Sequence, residues 1–436
     1  MNMRSVPLLL GILILTSQTA TASDTVDLSL DTFLEFGYSD LEGASTQEVV
    51  RLAPRLDAVL SQQTRLVLEG RLRLDFADKL EPGEVNVASY SSLSRPLVFG
   101  DFGVADIRDA YFERSLPNGV LRLGKQQIGW GKLDGIKVLD VLNPQDLREF
   151  ILDDFGESRI SLWSLYLDAT VSGWRTELAI IPDNTGHAIP APGAWFELTA
   201  PRYRYGAGQD DPAIPTATRR DAVSVDTSAF ALRVSRHVGL VEIGAMAYSG
   251  MDHEPLGRLI STNGETLVER YYERREVLGL SAETAIGSVA LRAEVSFQPG
   301  RAFNTRTAST LAVTSLDQVR AGFGLDVSGP WGLFINVQYL YDDVRQAPDS
   351  LVRPETDRIA TMFLRRNFSY DTVKLTAKWY RALDVGDAMY SLALGFTLGD
   401  STEMEIAAES FEGSATGIFG QFHDRDRVTL ELKHTF

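Results

Sequence analysis

Apolar and polar residues alternate along most of this chain. Residues 64–76 read TRLVLEGRLRLDF, where the leucines share one face while Glu69 and Arg71 lie on the other. The same alternation recurs in SVALRAEVSF, residues 288–297, and in DTVKLTAKWY, residues 371–380. A period of two is typical of a strand with one apolar and one polar face. Each run has about ten residues, the length of a tilted strand that crosses a bilayer.

Short turns and long polar connections join these runs. Tight turns are predicted at Ser328–Gly332 and Ser369–Asp371, whereas Asp183–Asp226 and Met251–Glu276 are long and polar. Alternation alone also fits a soluble, secreted sandwich. Because short turns at one end and long loops at the other are typical of an outer-membrane barrel, we favour the membrane protein.

The predicted fold class is therefore all-β, a transmembrane antiparallel β-barrel of about eighteen strands. Residues 48–62 and 91–117 are ambiguous, so sixteen strands are also possible. A barrel of this size encloses an aqueous lumen unless something fills it.

Both ends of the chain carry export signals. Residues 1–22 combine Arg4, an apolar run and a small-x-small site, and predict a signal peptide, which leaves 23–436 for the barrel. Its removal takes away one positive charge and changes the formal net charge from -17 to -18. The last strand ends in Phe436 and resembles the signal recognised by the barrel assembly machinery. The expected surroundings are outer-membrane lipid.

The acidic composition argues against a nucleic-acid partner, which would require a basic patch. No cysteine is present to carry a lipid anchor or a disulfide.

Charged residues of the strands must face the lumen, because Arg or Lys on the lipid side costs about 2–4 kcal/mol near midplane. The predicted lumen-lining residues are Arg71, Arg73, Arg122, Arg292, Arg320, Lys374, Lys378, Glu403 and Glu405. For most of them we expect simple ion pairing across the wall. The basic clusters Arg71/Arg73 and Lys374/Lys378 could instead attract anionic solutes.

One stretch departs from the alternation. In VLNPQDLREFILDDFGESR, Asn143 suits a helix cap and Pro144 the first helical position, so a short helix is predicted over Pro144–Asp154. Non-strand backbone at bilayer depth is tolerated only inside the lumen. We therefore expect residues 131–159 to fold inward as a constriction or plug; a solvent-exposed loop helix is the alternative. The candidate constriction residues are Trp130, Lys132, Asp146, Arg148, Glu149, Asp153, Asp154 and Arg159.

The same region carries a family resemblance. LRLGKQQIGWGKLDGIKVLDVLNPQDLREFILDDFGESRISLW resembles the core motif of a Gram-negative outer-membrane barrel family of unknown function (DUF1302-like). The likeness covers about Ile107–Trp174, and more distantly the chain is similar to alginate-export-type porins, whose barrels have eighteen strands. The resemblance implies outer-membrane location and a barrel, and gives no substrate.

We find no pattern for catalysis, a metal or a cofactor. The five histidines lack the spacing of a metal site, and no serine lies in a G-x-S-x-G elbow. We therefore expect a porin-like channel for a solute and no enzyme. The alternative is the outer-membrane component of an export system for a hydrophobic or polymeric product, with periplasmic and inner-membrane partners. A barrel enzyme is a third, weaker alternative.

Overall fold

The structure is a computed structural model that describes residues 25–436 except 41–42, 134, 136, 208–214, 263 and 308–309. The predicted signal peptide lies outside the described residues. Eighteen long strands dominate the described chain. They are β1 (Val26–Ser39), β2 (Ala44–Ser61), β3 (Thr64–Asp75), β4 (Gly103–Leu116), β5 (Gly119–Gln126), β6 (Leu162–Val171), β7 (Trp174–Ile181), β8 (Ala229–Val238), β9 (Val241–Met251), β10 (Arg274–Ile286), β11 (Val289–Arg306), β12 (Leu311–Ser328), β13 (Leu333–Val344), β14 (Thr356–Phe368), β15 (Val373–Ala382), β16 (Ala388–Thr397), β17 (Thr402–Glu412) and β18 (Arg427–Thr435).

These strands form one closed barrel. Each strand pairs antiparallel with the next, and β1 pairs with β18 from Asp31↔Thr435 to Tyr38↔Val428. Closure leaves no barrel strand with a free edge, which removes the exposed backbone groups of an open sheet. The prediction of an all-β barrel of eighteen strands is confirmed, and the alternative of sixteen is wrong.

The two ends of the barrel differ. All connections at one end, which we call the turn end, have two to four residues, and they include residues 329–332 and 369–372. The other end, which we call the loop end, carries longer connections, among them residues 76–102, 127–161 and 182–228. The tight turns and long loops read from the sequence therefore lie at opposite ends.

The outward face of the barrel is apolar. Leu123 on β5 and Leu280 on β10 are each 59% exposed, and Leu392 on β16 is 54% exposed. Their sequence neighbours point inward, and Gly279 and Ser391 are examples. An apolar belt on strands of this length matches a lipid environment. Among the described residues, no helix is long and apolar enough to span a membrane.

Small elements occupy the loop end. Thr216–Thr218, Leu256–Thr262 and Glu265–Tyr271 form a three-stranded sheet, and Leu97–Phe99 adds a short strand beside β4. Helical residues are few in the described part of the chain. They are α1 (Phe155–Ser158), the single 3₁₀ turn Gly420–Phe422 and, at the turn end, the single 3₁₀ turn Pro330–Gly332.

Two apolar clusters lie inside the barrel. The first joins residues 128–142 to inward side chains of β6–β10 and β13, such as Met246 and Leu340. The second is largely aromatic and joins Phe150 and Phe196 to Phe411, Phe419 and neighbouring residues. Residues from long connections thus form the packed core of the lumen.

Candidate functional site

The connection between β5 and β6, residues 127–161, folds into the barrel, and we call it the plug. Asn143 holds its two ends side by side. The amide oxygen of Asn143 accepts a hydrogen bond from the backbone N–H of Ile128 at 2.8 Å, and its amide nitrogen donates to the carbonyl oxygen of Ile160 at 2.8 Å. Asn143 therefore closes the base of the plug instead of capping a helix.

The helix predicted over Pro144–Asp154 is wrong, since only the single turn α1 that follows it is helical. The backbone N–H of Asp146 donates to the carbonyl oxygen of Ser158 at 2.7 Å, and that of Leu147 donates to Ala188 at 2.8 Å. These hydrogen bonds to distant segments replace those of a helix. Tertiary contacts here override a local periodicity and a weak propensity.

Leucines anchor the plug in notches of the wall. Leu133 lies over Gly322 on β12, where a Cβ atom would come within 2.3 Å of Leu133 Cδ1. Leu139 lies over Gly279 on β10, where the same distance to its Cδ2 would be 2.4 Å. Both leucines and Trp130 are almost fully buried. The two glycines thus make room for the plug at positions where a larger side chain would expel it.

Charged contacts hold the tip of the plug near the turn end of the wall. Lys132 Nζ lies 3.1 Å from Glu242 Oε1 and 2.8 Å from Glu283 Oε2. Its backbone N–H donates to the carboxylate of Glu294, which also accepts from Leu139. Lys132 and the backbone beside it therefore tie the plug to β9, β10 and β11.

The middle of the plug is fixed by a buried ionic cluster. Arg148 Nε donates to Asp146 Oδ1 at 2.7 Å, its Nη2 donates to Asp146 Oδ2, and its Nη1 donates to Glu81. Arg73 on β3 donates to the same glutamate at 2.9 Å. Burial would raise the pKa of Asp146, but the guanidinium of Arg148 outweighs it and holds this pKa well below the usual range.

A second cluster ties the plug to the seam of the barrel. Arg427 on β18 donates to Glu149 at 2.7 Å and to Glu409 on β17 at 2.6 Å. Burial raises the pKa of Glu149, although Arg427 opposes this. Arg51 on β2 donates to Glu157 at 2.7 Å. The plug therefore reaches across the lumen, from β2, β3, β17 and β18 on one side to β9–β12 on the other.

The other predicted constriction residues differ in exposure. Arg159 donates to Asp140 at 2.7 Å, and the neighbouring Lys137 has a pKa that burial lowers to about 8. Asp153 is half-buried, whereas Asp154 is exposed. Of the eight predicted residues, Trp130 lies in the apolar cluster and does not line an aqueous passage.

Most of the predicted lumen residues are ion-paired, four of them with a neighbouring wall strand and Arg73 with Glu81 of the connection 76–102. The pairs are Arg71–Asp106 at 2.8 Å, Arg73–Glu81 at 2.9 Å, Arg122–Glu113 at 2.7 Å, Arg292–Glu283 at 3.0 Å and Arg320–Asp342 at 3.3 Å. Lys374, Lys378, Glu403 and Glu405 form no ion pair with any described residue. The two lysines therefore keep charge that a solute can meet.

A cavity of about 430 Å³ remains between the plug and the wall formed by β11–β15. Plug residues such as Leu147 and Phe150 line one side. Arg301, Arg320 and Tyr380 line the wall side, and residues from the long loops cover the cavity at the loop end. The interior is thus narrowed without being filled.

Several residues of this cavity have no recognisable signal in the sequence. His253, in the loop after β9, lies with one ring nitrogen 3.1 Å from the carbonyl oxygen of Thr185 and the other 3.1 Å from that of Leu142. Burial lowers the pKa of His253 to about 4, so the neutral ring donates to only one of the two oxygens. Arg202, Arg301 and Arg353 were also missed, since long loops or a shift in strand register place them here.

Solved structures share this architecture. Acinetobacter baumannii OccAB1 superposes with a TM-score of 0.51 at 7% identity, covering 94% of this chain and 95% of that chain. Pseudomonas aeruginosa OccK2 (OpdF), solved in complex with glucuronate, gives 0.51 at 10% identity, covering 94% and 96%. At such low identity the likeness shows the fold alone, a porin-type outer-membrane β-barrel.

Sequence comparison adds the family. No curated protein matches the chain. The family described as "Protein of unknown function (DUF1302)" matches residues 100–323, slightly more than half of the 436 residues, and this region includes the whole plug. The chain therefore belongs to the DUF1302 family.

Proposed function

We propose that this protein is an outer-membrane channel through which a solute crosses by diffusion, with the plug setting the size and charge of what passes. The observation that carries the proposal is the plug itself, which crosses the lumen and yet leaves a cavity beside β11–β15. A segment that only filled space would leave no room for a solute. Charged walls at such a narrowing select among ions and polar solutes.

The surface of the barrel supports the proposed membrane location. The outward face is apolar, and the turns are short at the end where β1 begins and β18 ends. In this class of barrel the short turns face the periplasm and the long loops face outside. We therefore place the loop end outside the cell, with outer-membrane lipid around the wall and the barrel assembly machinery as the insertion partner.

The route passes beside β11–β15 at the loop end and continues along β14–β16, beyond the strands β9–β12 that the plug tip contacts. Its outer half is the cavity, and its periplasmic half is lined by Arg365, Lys374 and Lys378. The inward positions of β16 beside them are small, namely Ser391, Ala393 and Gly395. Small and exposed side chains leave space for water, which a diffusing solute requires.

Planar-bilayer recording of the purified, refolded protein tests this proposal. We expect steady ohmic current steps in simple salt, and a reversal potential under a salt gradient that reports the charge preference. A correctly folded barrel that gives no steps at any voltage would contradict a diffusion channel.

A second candidate is the outer-membrane component of an export system. The observation that favours it is the number of buried ionic contacts that hold the plug across the lumen, including those of Arg148 and Arg427. Such a plug could require a periplasmic partner, itself coupled to an inner-membrane transporter, to open it. Conductance that appears only when periplasmic extract is added would favour this candidate. We propose no catalytic activity; lipase and protease assays on the pure protein test that.

A further inference from the structure

We propose that the cavity beside the plug is a binding site for an amphipathic organic anion, a carboxylate attached to an aliphatic chain. The inference rests on the proposed channel function and names the class of solute. Its basis is a cavity that has a belt of cationic side chains at one height of the wall, which we call the belt, and an apolar surface next to it toward the turn end.

The belt carries more positive than negative groups. Seven cationic and three carboxylate side chains line the cavity, and the carboxylates of Asp342 and Asp357 lie beside it. Most of these cations are paired. Arg301 contacts Asp252 and Glu254, and Arg202 contacts Asp357.

Among the lining cations that the barrel strands contribute, Arg320 has the poorest pairing. Its Nε atom lies 3.3 Å from Asp342 Oδ2 but makes no hydrogen bond, and its guanidinium donates to no acceptor among the described residues. Asp342 also accepts from Gln318 at 2.5 Å and lies 3.3 Å from Arg353. One carboxylate is therefore shared by two guanidinium groups, and Arg320 keeps donors for an incoming anion. A guanidinium matches a carboxylate with two parallel hydrogen bonds.

The apolar surface lies next to the belt, on the side of the turn end. Leu340 is two residues from Asp342 on β13 toward the turn end, and its cross-strand partner Ile359 is two residues from Asp357 on β14. Tyr380 on β15 continues this surface.

Apolar groups face this surface across the cavity. They come from the plug, as Leu147 and Phe150, and from the loop before β18, as Ile418 and Phe419. A bound solute would thus place its carboxylate at Arg320 and its chain between the plug and β13–β15.

This arrangement fits an aliphatic carboxylate better than it fits related classes of solute. A small hydrophilic anion would leave the apolar surface uncovered, and an alkyl cation would meet the cationic belt. An aliphatic carboxylate can contact the cationic belt with its carboxylate and the apolar surface with its chain. Because each buried methylene contributes about 0.8 kcal/mol, affinity should rise about fourfold for each one added while the chain stays in contact.

Equilibrium dialysis against the protein in nanodiscs tests the site, with empty nanodiscs subtracted. The probes are labelled acetate, butyrate, hexanoate and octanoate, with octyltrimethylammonium as the cationic comparison. We expect saturable binding that strengthens along the carboxylate series and none for the ammonium. Equal binding of all probes, or octanoate uptake no greater than in empty nanodiscs, would overturn the proposal.

Two variants locate the binding. Arg320→Gln should weaken octanoate about tenfold, whereas Arg292→Gln, a lumen arginine paired with both Glu283 and Asp326, should change it little. Ile359→Thr should weaken octanoate and leave acetate unchanged, which a general folding defect would not do. Equal affinity in the Arg320 and Arg292 variants would overturn the assignment.

The experiments can contradict the proposed channel and the proposed binding site independently of each other. Current steps in simple salt without octanoate binding would overturn only the site. Octanoate binding that depends on Arg320 in a barrel that never conducts would uphold the site and contradict diffusion through an open lumen.

Discussion

Removing the two leucine anchors should release the plug. Leu133 and Leu139 are 3% and 2% exposed and lie against glycines of β12 and β10, so the change L133A/L139A leaves two voids at the wall. A buried Leu→Ala change costs 2–5 kcal/mol. The plug is a loop that can settle, so we take about 2–3 kcal/mol for each. Together they weaken docking by about 4–6 kcal/mol if the sites act independently.

Such a loss is large enough to measure. At about 1.4 kcal/mol for each factor of ten, the detached fraction should rise about a thousandfold or more. Trypsin is too large to enter the barrel, so cleavage after Lys132 or Lys137 reports detachment. We expect slow cleavage of the native protein and fast cleavage of the double variant, with fragments that mass spectrometry assigns to these lysines.

The control is Leu240→Ala, at a turn where the leucine is 74% exposed. It should be cleaved as slowly as the native protein. A double variant that resists trypsin as well as this control would refute the packing argument, because the glycine notches would then contribute little to holding the plug.

Three further results are expected. Arg427→Met leaves the buried carboxylates of Glu149 and Glu409 without their shared cation, and should weaken docking by about 3–5 kcal/mol and raise trypsin cleavage; unchanged cleavage would contradict this. Replacing both Lys374 and Lys378 by Glu should shift the reversal potential toward cations; no shift would remove them from the route. Because burial raises the pKa of Glu149, its carboxyl group binds a proton more readily in the docked plug than in the detached plug. Channel openings should therefore become more frequent as the pH rises from about 5 to about 8. This pH dependence should be lost in Glu149→Gln.

The wall was predictable because its signal is local and periodic. Lipid on one side and water on the other impose a period of two on every strand, so runs such as 64–76 reveal both the strand and its orientation. The same rule placed Arg71 and Arg292 inside, and the structure pairs both across neighbouring strands. The requirement that no edge remain unpaired in lipid predicts a closed barrel, whereas the choice between sixteen and eighteen strands was settled only by the structure.

The interior was less predictable because its contacts join distant parts of the chain. The stretch after Asn143 has the caps and periodicity of a helix, but its backbone bonds to Ser158 and Ala188 instead. Arg148 meets Glu81 from another connection, and no sequence spacing encodes that pair. The inward course of this segment was inferred from its position between strands, whereas the notches at the wall became visible only in three dimensions.

The most direct test of the central claim is the single-channel conductance of a variant in which residues 131–159 are replaced by a short Gly/Ser linker. Folding of this variant is checked by the shift in gel mobility on heating, and its conductance is compared with that of the native protein in the same salt. Because the plug spans the lumen, we predict a several-fold larger conductance and a weaker charge preference. A folded variant with native conductance and selectivity would contradict the claim that this segment forms the constriction.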